Sequence, residues 1–384
     1  MTIPQAQYVE TEEALNALGA RLQRASVVAV DTESDSFHSY REKVCLLQMT
    51  VDDEDVIIDP LRLPSLEPLR PVLEDPTIVK VFHDACYDLA CLHRDHGFSL
   101  RGLFDTMLAS RLLGWRRFGL AAILEERYAF EADKRLQRSD WSKRPLSAAQ
   151  MRYAQFDTHF LPRLHVSLRQ ELERAGRLHW AEEDFQRLPA TCERLGTRRP
   201  VPDPEGFWRI KGTRTLSAVA LGRIKQLYLA RDRIAERLDW PAFKVVNDAT
   251  LMELAKHPPH SYDAMRPVRG LSRHGIRRFG HELFTALRDA KPHVGDPPQG
   301  GARKRRGPRL ADAAMKQRYE ALREVRRHCA DALGIEPEVG LANAFLEELA
   351  RHPPGSLADL CALDELRGWR RPHFAAALWA SLRS

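Results

Sequence analysis

The sequence is poorly equipped for membrane anchorage or for disulfide scaffolding. No apolar run approaches the 18 or so residues needed to cross a bilayer. The six cysteines, Cys45, Cys86, Cys91, Cys192, Cys329 and Cys361, are scattered, with no Cys-x-x-Cys among them. That spacing argues against a zinc ribbon or a disulfide framework and for a reducing compartment. The N-terminus lacks a basic start followed by an apolar core, so no secretory signal is expected. A composition too polar to fold is also missing, since 43% of the 384 residues are hydrophobic. These exclusions leave a soluble, cytoplasmic protein of two or three domains.

Charge is present in quantity and is unevenly placed. The chain carries 59 Lys and Arg against 53 Asp and Glu, a net of +6. Residues 1–205 hold 27 basic and 33 acidic residues, whereas 206–384 hold 32 and 20, a net of +12. An acidic front beside a basic back suggests a polyanion grip feeding a site with carboxylates of its own. A basic helical domain can equally be just a soluble one.

Hydrophobic patterning divides the chain further. Val27–Val30 reads as a buried strand, with Val44–Thr50 and Val56–Ile58 as neighbours across the acidic turn at 52–55. Ile78–Phe82 and Leu103–Asp105 are further strands, and Asp84–His96 has helical spacing up to Gly97. Helical patterns then dominate over 107–113, over 120–128, and over one long stretch from Ser147 to about Ala175. Strands first, with helices between and after, predict an α/β domain with a mixed sheet flanked by helices, over residues 1–200.

Beyond a proline- and charge-rich boundary at Arg198–Gly206, the chain reads as helix and repeats itself. Leu-Met-Glu-Leu-Ala-Lys-His-Pro-Pro at 251–259 recurs as Leu-Glu-Glu-Leu-Ala-Arg-His-Pro-Pro at 346–354, an offset of 95 residues. Two copies of one small all-α domain follow, over 207–290 and 312–384, joined by a Gly/Pro/Arg-rich basic linker at 291–311. His257 and His352, ahead of the Pro-Pro pairs, read as helix-end structure.

The chemistry sits in the acidic front. Asp31 and Glu33 end the first strand and, with a period of two, point to one side of the sheet. Side-by-side carboxylates repel unless a cation lies between them, although an isolated Asp-x-Glu can also be a solvated strand end. Asp88 lies mid-helix in the 84–96 segment. Tyr153 and Asp157 are four residues apart and share one helix face.

Together these segments resemble the DEDD exonuclease superfamily, and within it ribonuclease D, over essentially the whole chain. Val-Asp-Thr-Glu at 30–33 is similar to its first motif, 83–90 with Asp88 to its second, and Tyr-x-x-x-Asp at 153–157 to its third, in the tyrosine variant. Leu46-Leu47-Gln48, 58–61, 104–106 and 140–146 also match, and the repeats resemble the helicase-and-RNase-D C-terminal (HRDC) domain. The resemblance implies a ribonuclease-H-like exonuclease domain followed by two HRDC bundles. It implies 3′–5′ exoribonuclease activity on single-stranded RNA 3′ ends, tRNA precursors among them, releasing nucleoside 5′-monophosphates. Asp31, Glu33, Asp88 and Asp157 would hold two divalent ions, Mg²⁺ or Mn²⁺, and Tyr153 would orient the attacking water. The protein would act as a monomer with no membrane partner.

Other residues carry weaker expectations. Thr32, Phe37 and Gln48 are candidate substrate contacts. His83 either touches the terminal nucleotide or packs at the strand end. Asp105 either stands behind the metal ligands or caps the helix after it. The stretch with Lys134, Arg135, Arg138, Trp141, Lys143 and Arg144 mixes cations with an aromatic, which suits a backbone-and-stacking grip on RNA or a solvated loop. Two positions depart from the family pattern: Ser34 replaces the usual aromatic after Asp-x-Glu, and Asp84 replaces a small residue. A DNA-directed 3′–5′ exonuclease and a catalytically silent RNA-binding protein are the rival readings.

Overall fold

A computed structural model describes residues 3–196, 203–295 and 313–383. Most of the linker at 291–311 therefore lies outside the described residues. The described chain divides into two compact units, one of 3–33, 44–196 and 313–383, the other of 34–43 and 203–295.

The first unit is built on a six-stranded mixed sheet. Its strands are β1 (Gln7–Val9), β2 (Val27–Ser34), β3 (Val44–Val51), β4 (Glu54–Ile58), β5 (Val79–Phe82) and β6 (Leu103–Asp105), in the order β1-β4-β3-β2-β5-β6. β3 and β4 pair antiparallel from Leu47 with Ile58 to Val51 with Glu54. Asp52 and Asp53 turn that hairpin at φ of 51° and 61°, the left-handed conformation a tight two-residue turn requires and aspartate tolerates. β1 joins β4, and β5 joins both β2 and β6, all in parallel. All eight residues of β3 are buried, as expected of a strand covered on both faces.

Helices cover the sheet: α1 (Glu12–Leu22), α2 (Arg70–Leu73), α3 (Cys86–His96), α4 (Thr106–Leu112), α5 (Leu120–Tyr128), α6 (Ala148–His159), α7 (Leu161–Arg174) and α8 (Leu178–Gly196). The long helix expected from Ser147 to Ala175 is broken at Phe160. Pro162, in the first turn of α7, lacks the N–H that a continuous helix would use. β1 and α8 were not foreseen. Cys86 of α3 and Cys192 of α8 form a disulfide with a Cα–Cα distance of 5.1 Å, a cross-link that the scattered cysteine spacing did not announce.

In the second unit the first repeat comprises α9 (Ala218–Leu238), α10 (Ala242–Val245), α11 (Asp248–Lys256), α12 (Arg273–Gly275) and α13 (His281–Arg288), with a π-helical turn over Ile276–Gly280 joining the last two. The segment between β2 and β3 belongs here as well: the Tyr40 hydroxyl donates to Asp232 at 2.9 Å.

The second repeat comprises α14 (Ala313–Leu333), α15 (Pro337–Gly340), α16 (Asn343–Arg351), α17 (Leu357–Cys361) and α18 (Arg370–Arg383). It shares a hydrophobic core with α4, α7 and α8, so it is grouped with the sheet rather than standing as a third body. Trp369 stacks on Trp180 with centroids 4.5 Å apart, and Arg370 donates to Asp184 at 2.9 Å. The two repeats are nonetheless built alike. Buried Arg231 donates to the Val246 carbonyl at 3.1 Å, and buried Arg326, 95 residues on, donates to that of Leu341 at 2.8 Å.

Candidate active site

Strand alternation assembles the first part of the site. Val28 and Val30 join the core with α1 and α3, and Thr32 continues their row. Ala29 begins the opposite row, which continues in Asp31 and Glu33. On α6, Tyr153 and Asp157 lie one turn apart, and the helix is started by a Ser147–Gln150 capping box. The carboxylates of Asp31, Glu33 and Asp157 each offer an oxygen within 4.8 Å of the others. Asp88 is buried and approaches from α3, in its first turn rather than mid-helix as the sequence suggested. The Thr32 hydroxyl donates to the Asp88 carboxylate, which fixes its aim.

Nothing neutralises this cluster: among the described residues, none of the four forms an ion pair. Burial, followed by mutual repulsion, raises Asp31 and Glu33 well above the carboxylate range. Asp157 is pushed up to about 8 by burial and then by Asp88. Burial also pushes Asp88 up to about 7, against the opposing hydrogen bond from Thr32. Four hard oxygen donors with no counter-charge fit divalent cations of the Mg²⁺ or Mn²⁺ kind. Tyr153 is raised above its ordinary value by burial and by the Asp157, Glu33 and Asp31 charges, so its phenol keeps its proton and cannot act as a base near neutrality.

Tyr153 and Asp157 open onto a cavity of about 1000 Å³ that His83, Asp84, Phe130, Arg152 and Phe156 also line. His83 Nδ1 lies 2.9 Å from the Thr106 hydroxyl, which itself donates to the Phe82 carbonyl. Nδ1 therefore carries the proton, leaving Nε2 as an acceptor, and burial lowers the imidazole to about 4, so it is neutral. His83 is thus anchored at the end of β5, as its packing alternative expected, and it also lines the cavity. Phe130 and Phe156 meet with centroids 4.4 Å apart. Arg152 is the one Lys or Arg among the described residues lining the cavity. These three were missed as site residues. The helix period would have shown that 152 and 156 share a face beside that of 153 and 157.

Several expectations are corrected. Trp141 is 1% exposed and packs in a core with Cys45, Leu46, Ile57 and Ala154, so it presents no face on which a base could stack. Arg144 is held by Asp59, donating at 2.7 Å, and by the Cys45 carbonyl at 2.8 Å, and is a brace rather than an RNA contact. Gln48 is wholly buried and reaches no substrate. Thr32 is buried and acts on Asp88 instead. Asp105 is a cap: it accepts from Leu108 N at 2.8 Å at the start of α4, and from Ala85 N at 2.7 Å ahead of α3. Arg138 and Lys143 are exposed, Lys143 standing 3.6 Å from Asp140. Phe37 is exposed in the second unit. Asp84 takes φ of 64°, a conformation that explains why a small residue is usual there.

Comparison with known proteins places the whole chain in one family. A 3′–5′ exonuclease family model matches residues 6–173, and an HRDC domain model matches 220–287 and 315–382. The ribonuclease D of Gluconacetobacter diazotrophicus is 32% identical over 379 residues, 97% of this chain and 91% of that protein. That of Zymomonas mobilis is 34% identical over 282 residues, covering 72% and 70%. The crystal structure of Escherichia coli RNase D has the same fold, with a TM-score of 0.71 over 99% of both chains at 24% identity. The catalytic core of RRP6 from Trypanosoma brucei gives a TM-score of 0.64 at 29% identity, covering 75% and 80%.

Proposed function

From the premise that this chain belongs to the ribonuclease D family, as a 3′–5′ exoribonuclease with two HRDC domains, we propose that Asp31, Glu33, Asp88 and Asp157 form its catalytic centre. It removes nucleotides as 5′-monophosphates from single-stranded RNA 3′ ends, tRNA precursors being the expected physiological substrates. It works in the cytoplasm as a monomer. The observation that carries this reading is the uncompensated trio of Asp31, Glu33 and Asp157, with ligand oxygens within 4.8 Å of one another.

Asp31, Glu33, Asp88 and Asp157 would hold two divalent cations, Mg²⁺ or Mn²⁺, which when bound would supply an activated water and neutralise charge on the phosphoryl group. The chain's own residues do the rest. Thr32 keeps the Asp88 carboxylate aimed into the cluster. Tyr153, its phenol protonated, holds the attacking water by hydrogen bonding rather than deprotonating it. His83 Nε2 is placed to accept from a sugar hydroxyl, because Thr106 holds Nδ1. Phe130 and Phe156 offer apolar faces to the terminal base, and Arg152 a cation to a phosphate. Phe37, Arg138 and Lys143 remain further candidates for the strand behind it.

The test uses a 5′-labelled RNA with an unstructured 3′ tail, beside a DNA of identical sequence. Wild type with Mg²⁺ or Mn²⁺ gives a ladder that shortens from the 3′ end, abolished by EDTA and absent in Asp31→Ala. Tight binding without cleavage under either metal points to a silent RNA-binding protein. Faster degradation of the DNA overturns the RNA assignment.

A further inference from the structure

The two repeats divide the basic charge of the back half very unequally. Residues 207–290 contain 16 Lys and Arg against 8 Asp and Glu, a net of +8. Residues 312–384 contain 10 against 11, a net of −1. The net of +12 over 206–384 therefore does not extend to the second repeat, and in the first several of the basic residues gather around one turn. Arg269, Arg273 and Arg277 recur at intervals of four, are all exposed, and form no ion pair among the described residues. Their counterparts 95 residues on are Asp364, Gly368 and Pro372. Three of the second repeat's exposed arginines are paired instead, Arg323 with Glu320, Arg327 with Glu324 and Arg367 with Asp364.

The first-repeat turn is built to hold its arginines in place. Gly270, at φ of 93°, sits against the Thr250 side chain, where a Cβ would come within 2.0 Å of its hydroxyl. That hydroxyl donates to the Arg269 carbonyl at 3.0 Å. Ser272 then caps the helix, accepting from Gly275 N at 3.0 Å. Arg273 and Arg277 follow within the first two turns, on neighbouring surface. Stability alone would favour acids at a helix start, by about 0.3–1 kcal/mol each. The first turn of α12 instead carries Arg273 and His274 and no acid. Three guanidinium groups that form no ion pair among the described residues, on one capped turn, suit a row of phosphates, a contact that ignores sequence.

We propose that Arg269, Arg273 and Arg277 form the surface by which the first repeat grips the RNA sugar–phosphate backbone, and that the second repeat has given up this role for docking on the catalytic domain through Trp369 and Arg370. This rests on the exoribonuclease reading for the identity of the polyanion.

The test compares full-length wild type, R269Q/R273Q/R277Q, and a charge-matched control, R323Q/R327Q/R367Q. Affinity for a labelled single-stranded RNA is measured by anisotropy in EDTA across a salt series. Loss of three phosphate contacts lowers the log–log salt slope by about 2 and weakens binding roughly ten- to a hundredfold near 0.1 M salt. The control changes by no more than about twofold, as expected of surface pairs. Replacing the three arginines by lysine restores most of the affinity, because a phosphate grip needs the charge. Binding by R269Q/R273Q/R277Q within about twofold of wild type, or an equal loss in the control, overturns the proposal. Metal-dependent cleavage of a dinucleotide RNA separates the two readings. It persists in R269Q/R273Q/R277Q if only the surface is at stake, whereas its absence in wild type condemns the exoribonuclease reading and leaves the binding result to judge the surface.

Discussion

Around Asp59, the Arg144 guanidinium and the Tyr8 hydroxyl converge on one carboxylate; around Asp157, the neighbours are more carboxylates. Both lie in the same unit and both are crowded by protein, Asp59 wholly buried and Asp157 partly so beside the cavity, yet they respond in opposite ways. Burial alone would push Asp59 up, but the hydrogen bonds from Arg144 and Tyr8 and the charge of Arg144 outweigh it, and the group sits below its ordinary value. Asp157 has no such partner and rises to about 8. A compensated acid holds a fold together. An uncompensated one must either keep its proton or take a cation, which is how the four-carboxylate cluster differs from ordinary buried polarity.

Substitutions at the two acids separate most widely in turnover. Asp157→Asn lowers the metal-dependent rate by at least about a thousandfold, since a neutral amide is a poor donor to a hard cation. A rate within tenfold of wild type, by single-turnover gel assay, would remove Asp157 from the metal site. Asp59→Ala leaves the chemistry in place but strands Arg144 in the interior, costing roughly 3–5 kcal/mol by urea denaturation. A loss below about 1 kcal/mol would mean that solvent reaches the pair.

Smaller effects appear when metal is withdrawn. Without metal, Asp157→Asn is more stable than wild type at pH 8, by at least about 1 kcal/mol, because it deletes a buried charge and not a partner. The sign follows from the shift. With its pKa raised above the unfolded value of about 3.9, Asp157 leaves stability intact at low pH and erodes it as pH climbs toward about 8. Asp59, lowered, does the reverse, contributing above about pH 4 and losing its contribution as pH falls. Melting curves of EDTA-treated protein should decline from pH 5 to 8 in wild type, decline less steeply in Asp157→Asn, where Asp31, Glu33 and Asp88 still titrate, and flatten in wild type on adding Mn²⁺. A curve that rises over that range would contradict the raised pKa values.

What could be read in advance was whatever depends on short-range period. Asp31 with Glu33, and Tyr153 with Asp157, follow from strand and helix repeats that need no knowledge of their surroundings. Trp141, Arg144 and Gln48 were misread because residue type says nothing of depth. An Arg beside an aromatic looks the same whether it faces RNA or, as here, clamps Asp59 beneath a buried indole. The break at Phe160 was announced by Pro162 and overlooked. The charge of each repeat is also countable from sequence: +8 over 207–290 and −1 over 312–384.

The sequence by itself determined the α/β front, the duplicated helical tail and the four acids with their tyrosine, because local periodicity and spaced motifs survive without coordinates. Only the tertiary structure decided that Asp88 comes from the first turn of α3 with Thr32 aiming it, that His83, anchored through Nδ1, lines a cavity shared with Arg152, and that the second repeat packs on α8 through Trp369 on Trp180. Each of these depends on which distant residues exclude water from one another, a property of the packed chain that no window of sequence contains.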